Sequence, residues 1–226
     1  MQLDLRRPVL VLTGTWNPAI FQPGWMAKNL FEIPEGKSVQ ASEIIHVQSS
    51  RRVTYVGDIG IAATASRIEV YCNSLQKDCL AKAESMLRNT IRTLPHTPIG
   101  ALGVNFQFTE NDIEGDVLDR LKTHEATYEN FEILEEEFKS VFDFTSSFVL
   151  NFRRGYNTES VYFDFNFHHE ASDFEKLLST LDNSIENNLE GAKQVLDQLY
   201  NLENFDVVSH DLDATGEGQN VEAKQG

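Results

Sequence analysis

The residues best suited to chemistry lie on one short stretch. Asp164, Asn166 and His168 alternate with Phe163, Phe165 and Phe167, and His169 and Glu170 follow directly. A strand sends successive side chains to opposite faces. A carboxylate, an amide and an imidazole would therefore share the face that the three rings avoid. Such a set can ligate a metal or move a proton, which makes Asp164 and His168 the metal candidates. The plainer reading is the solvated face of an antiparallel strand. No second ligand group accompanies it, so no cofactor is expected.

The other candidates concern binding. His96 stands between Pro95 and Thr97-Pro98, where an imidazole can meet a ligand at a cleft or hold backbone in a Pro-rich connection. Trp16, Phe21 and Trp25 cluster around Asn17-Pro18 and Pro23-Gly24, either as an aromatic knob for a partner or as packing across a sheet end. Arg51-Arg52 and Arg153-Arg154 are read as paired arginines at comparable hairpin positions, able to clamp an anion or simply solvated. Cys72 and Cys79 are seven apart with no second ligand pair nearby, and the default for each is a buried apolar role. P-loop, G-x-G-x-x-G, H-E-x-x-H and G-x-S-x-G motifs are all absent. No catalytic residue is assigned, and a non-enzyme is favoured.

These residues need elements to hold them. Alternation runs from Phe138 to Phe152 and reads as one long half-buried strand, bent midway. A turn at Arg153 to Asn157 and a second strand at Val161 to Phe167 follow, with another strand at Phe131 to Leu134 ahead of them. The first half reads as short strands at Ile44 to Val47, Arg52 to Val56, Ile59 to Ala65 and Ile68 to Cys72. Each half opens with a strand (Pro8 to Thr15, Gly100 to Thr109) and a short helix (Gly24 to Phe31, Gly115 to Thr123). Each closes on an amphipathic helix: Lys77 to Leu94, then a long one from Asp173 to Asn201 with Ser172 or Asp173 as N-cap and Gly191 as its weak point.

The expectation is an α+β chain of two similar lobes, each an antiparallel sheet covered by helices. Residues 1–95 form the first lobe, 96–202 the second, and 203–226 an acidic tail too poor in apolar residues to order. The long closing helix outruns its own sheet, so its stripe must meet the first lobe or a second copy of the chain in a homodimer.

Asn17-Pro18-Ala19-Ile20-Phe21 with Pro23 and Trp25, Ile44-Ile45-His46, and His96-Thr97-Pro98-Ile99 with Leu102-Gly103-Val104-Asn105-Phe106 carry a resemblance. The chain resembles, over about residues 5–202, a sporadically distributed family of uncharacterised bacterial proteins with this duplicated element order. The resemblance implies no established activity.

Charge narrows the function classes. The 226 residues hold 19 Lys and Arg against 35 Asp and Glu, a net of −16. Residues 1–112 carry +1 and residues 113–226 carry −17. A general nucleic-acid surface and an anionic membrane surface are both disfavoured. With no leader-like or spanning segment and only two cysteines, a cytoplasmic setting is expected. The first reading is an accessory or regulatory subunit that binds another protein. The alternatives are an enzyme or ligand-binding protein with an inter-lobe cleft, and an acidic nucleic-acid mimic.

Overall fold

Alternating apolar residues build most of this molecule into one sheet. The computed structural model describes residues 1–34, 38–46, 51–111, 116–121, 135–144, 148–157, 159–171, 173–210 and 219–222. The chain runs β1 (Gln2–Asp4), β2 (Leu10–Gly14), a 3₁₀ turn (Pro18–Ile20), α1 (Pro23–Asn29), β3 (Ser38–His46), β4 (Arg51–Val56), β5 (Ile59–Ala63), β6 (Arg67–Cys72) and α2 (Lys77–Thr93). It continues with β7 (Ile99–Glu110), α3 (Asp116–Leu121), β8 (Glu136–Phe144), β9 (Phe148–Tyr156), β10 (Val161–Glu170), α4 (Phe174–Thr180), α5 (Ser184–Tyr200), β11 (Asp206–Val208) and β12 (Gln219–Glu222). The fold is α+β, and no described helix is long and apolar enough to cross a membrane.

The strand order is β12-β3-β4-β5-β6-β2-β7-β10-β9-β8, antiparallel throughout, with β1 on β7 and β11 parallel to β1. The two halves therefore do not form separate sheets that meet at the Pro95–Pro98 connection. Their opening strands β2 and β7 pair directly, Leu10 opposite Val104 and Leu12 opposite Leu102. From that ladder each half runs outward in the same way, last strand first.

One face carries the core. Leu10 and Leu12 of β2, Leu102 to Phe108 of β7, Leu150 and Phe152 of β9 and Phe163, Phe165 and Phe167 of β10 pack beneath α2, α4 and α5. Phe152 stacks on Phe165 with centroids 4.6 Å apart, and Phe108 meets Phe165 edge-on at 5.9 Å. α2 buries Leu80, Ala83, Leu87 and Ile91 at helical spacing, and ends just before Pro95, which cannot continue it.

Several expectations need correction. The stretch from Phe138 to Phe152 is two strands, β8 and β9, paired with Phe144 opposite Phe148 and Phe142 opposite Leu150. Directly opposed residues share a face, and here the partners have the same parity, so alternation passes unbroken through a hairpin. Arg153 and Arg154 lie inside β9; the turn comes later, where Asn157 Oδ1 accepts from the Glu159 and Ser160 N–H groups, both at 2.8 Å. The strand expected at Phe131 to Leu134 lies outside the described residues.

The long closing helix is also two. Asp173 caps α4 by accepting from Lys176 N, but the chain turns at Leu181 to Asn183, with Asn183 at φ 54°. The apolar stripe hides this break because Leu177, Leu181, Ile185 and Leu189 keep near-helical spacing across it. The stripe is covered within the chain: Leu189 and Leu196 are buried, and Tyr200 packs on Phe163. Of the stripe only Phe174 and Leu199 are substantially exposed.

Helix α5 runs straight through Gly191. A Cβ there would meet only Phe167 ring atoms, at 3.7 and 3.8 Å, which is ordinary contact. Gly191→Ala is therefore expected to raise stability by about 0.5–1 kcal/mol, read as a higher urea midpoint. A loss would mean that the Phe167 ring cannot accept the methyl.

The acidic tail is partly built into the sheet. β11 pairs with β1, the Leu5 N–H donates to Val208 O at 2.8 Å, and Phe205 lies edge-on to Phe108 at 5.4 Å. Asn73 then holds the His210 backbone at both its N–H and its carbonyl, at 2.8 and 2.9 Å. The composition argument missed this because a strand is held largely by backbone hydrogen bonds, which composition does not report.

Candidate functional site

The face of the sheet opposite the helices carries a concave cavity of about 920 Å³. Its wall is an arm from the N-terminal region. β1 and β2 pair with the same edge of β7, at Phe108–Thr109 and at Ile99–Val104, so the residues between them must leave the sheet. Asp4 fixes the bend. It accepts from the Arg6 N–H at 3.0 Å and grips the Arg6 guanidinium twice, at 2.7 and 3.1 Å.

The floor comes from strand register. One row crosses four strands as Gln107, Asp164, Arg153 and Lys139, and the next as Asn105, Asn166, Asn151 and Val141. In the second row Asn151 Nδ2 donates to Asn166 Oδ1 at 3.0 Å, and Asn166 Nδ2 donates to Asn105 Oδ1 at 2.7 Å. Cross-strand pairing of three amides thus gives a hydrogen-bonded ladder. Gly103 makes the room for it, since a Cβ at that position would lie 2.8 Å from Asn166 Nδ2.

Charge on the lining is mixed and paired. Arg6, Arg7, Arg67, Lys139 and Arg153 face Asp4, Glu69, Glu137 and Asp164. Glu69, 2% exposed, takes Arg67 Nε at 2.8 Å and the Tyr71 hydroxyl at 2.9 Å. The Arg153–Glu137 pair is looser, at 3.7 Å. Just outside, the Tyr162 hydroxyl donates to Glu137 at 3.1 Å, and burial together with that carboxylate pushes its phenol up to about 12. Burial also raises the Asp164 carboxyl above its ordinary range, against the opposing pull of Arg7, Arg153 and a hydrogen bond from Gln107.

Of the residues singled out from sequence, Asp164 lines this cavity and His168 does not. They lie four residues apart on one strand, about 13 Å at a strand's rise per residue. Among the described residues no three His, Cys, Asp or Glu side chains converge to hold a metal. Trp16, Phe21 and Trp25 do form a cluster, with edge-on contacts of 6.4 and 5.4 Å, packed against the core. Trp16 is only 5% exposed. His96 is exposed in the turn after α2, away from the cavity.

Sequence reasoning missed Asn105, Gln107, Asn151 and the Arg6-Arg7 arm. Asn105 and Gln107 were visible as the polar positions between Val104, Phe106 and Phe108, but only the register sets them beside Asn166 and Asp164. Comparison of the chain with protein-family models and with curated proteins finds no match in either, so the chemistry of the cavity itself is what bears on function.

Proposed function

We propose that this protein is a non-catalytic binding protein whose open sheet face takes a small anionic, hydrogen-bonding ligand. The observation that carries this reading is the gathering of five of the chain's 19 cationic side chains on one concavity of a molecule with net charge −16. The volume lies in the range of small-molecule sites. The long-range field repels polyanions, whereas a small anion inside the cavity meets local guanidinium groups and the amide ladder.

The reading makes two variants act in opposite directions. Arg153→Ala removes a cation and should weaken anion binding about tenfold, some 1.4 kcal/mol. Asp164→Asn removes a like charge while keeping a partner for Gln107, and should tighten it. Because burial raises the Asp164 carboxyl above its ordinary range, the advantage of the Asn variant over wild type should shrink as pH falls and Asp164 takes up its proton, whatever the charge on the ligand itself. Calorimetric titration with phosphate, citrate and a neutral disaccharide checks this. Absence of binding by either anion, or equal responses from both variants, would overturn it.

A second reading, a subunit that binds another protein, is supported by β8. Val141 is 58% and Phe142 41% exposed there, and β8 has a strand partner on one side only among the described residues. An extended segment of a partner could pair with such an edge.

A further inference from the structure

β8 ends the strand order, and among the described residues only β9 pairs with it. Its middle holds Val141 and Phe142, both well exposed. Val141 stands on the cavity face, level with Asn151, and Phe142 on the helix face, level with Leu150. Lys139 and Asp143 flank Val141 on its own face, and Lys139 lines the cavity. Inside the chain Lys139 is opposed by Arg153, a like charge, and Asp143 by Val149. We propose that a second copy of this chain pairs with β8, antiparallel and centred on Val141, joining two sheets and setting two cavities side by side. The proposal rests on the open β8 edge of the second reading and takes the partner to be the chain itself.

Symmetry and register choose this pairing. A closed pair of identical edge strands is antiparallel about a two-fold axis. Opposed residues share a face, so the axis lies level with a residue and not between two. Centred on Ser140, the strands would set Glu137 against Asp143 twice. Centred on Lys139, they would set that lysine against itself and Glu137 against Val141. An axis at Phe138 faces Glu137 with Lys139 but carries Val141 and Phe142 beyond the β8 of the second copy. An axis at Phe142 places Asp143 on Val141. Only the axis at Val141 satisfies both needs. Lys139 then faces Asp143 of the second copy, twice by symmetry, Val141 faces its own counterpart, and Phe142 faces Ser140.

Opposite charges directly across a strand pair favour it, and like charges there oppose it. At physiological salt, charges beyond about 8 Å are largely screened, so these facing pairs count for more than the net −16 of each copy. The pairing also reaches the cavity. Asp143 of the second copy stands beside Lys139, the outermost position of the charged row, and completes the rim that β8 leaves open.

Light scattering on the full chain, with no ligand added, reads the mass. The wild type is expected to pass from one chain to two across roughly 10–200 µM. Lys139→Asp and Asp143→Lys each set like charges against one another at both contacts, and each should weaken the dimer about tenfold or more. Mixed together, the two variants should form a heterodimer, because each presents the charges that the other faces. Both positions are exposed, so neither change disturbs the fold, which circular dichroism checks. A chain still monomeric at about 200 µM overturns the proposal. So does a dimer indifferent to both reversals, or a pair of variants that do not recombine. A monomer would leave the anion-binding reading untouched and the edge free for another protein, so the failures are told apart.

Discussion

Replacing Phe165 with alanine is expected to remove about 4 kcal/mol of stability, a large share of the roughly 5–15 kcal/mol a domain possesses. The ring is 1% exposed. It stacks on Phe152 at 4.6 Å, meets Phe108 edge-on at 5.9 Å and lies parallel to Phe167 at 6.3 Å. These neighbours come from three strands and are held by the strand ladders, so they cannot collapse into the space left behind. The loss adds the transfer free energy of the ring to the cost of the void. Urea unfolding should show a much lower midpoint with an unchanged slope. A cost under about 1.5 kcal/mol would mean that the rings are not packed as described.

Glu84 should give the next largest effect. It is 5% exposed on α2, and its carboxylate accepts from the Ile185 N–H at 2.8 Å and the Asn183 N–H at 3.1 Å. A side chain of one helix thus caps the first turn of another, across the break between α4 and α5. Glu84→Ala leaves the buried Ile185 N–H without an acceptor, strips the partly buried Asn183 N–H of its own, and should cost about 2–3 kcal/mol. Glu84→Gln keeps one acceptor but turns an amide N–H₂ toward the other donor, and should cost about 1–2 kcal/mol.

The pH dependence has a definite sign. Burial raises the Glu84 carboxyl above its ordinary 4.5 despite both N–H groups and Arg88. The folded state therefore holds that proton more tightly than the unfolded chain does. Its contribution is fully present below pH 4.5 and is lost as pH rises through the folded value. The stability gap between wild type and Glu84→Gln should narrow over that rise. A gap that widens instead would show that the hydrogen bonds to the ionised form outweigh its burial.

Most strands and both long amphipathic stripes were legible in the sequence, because one-sided burial writes its period directly into residue choice. Leu102 to Phe108 and Phe163 to Phe167 needed nothing more. Breaks that preserve the period were invisible. The β8–β9 hairpin keeps parity, and the α4–α5 turn keeps the stripe although Asn183 is left-handed. The cavity was half visible. Asp164 and Asn166 stood on the correct face, but Asn105 and Asn151 are 61 and 15 residues from Asn166 and reach it only through register.

The ladder between β2 and β7 bears on how the chain could be divided. The turn at Pro95 and His96 is exposed and connects two stretches that each end at one strand of that ladder. A cut there would leave two fragments, each with a long edge that is apolar on one face and lacks its pairing partner. Each fragment is the other's natural complement. Arg67, Glu69 and the Arg6-Arg7 arm would travel on one piece, and the amide ladder with Asp164 and Arg153 on the other. The polar cavity would then exist only in the reassembled pair, which makes this a chain whose binding face could report the reunion of its own halves.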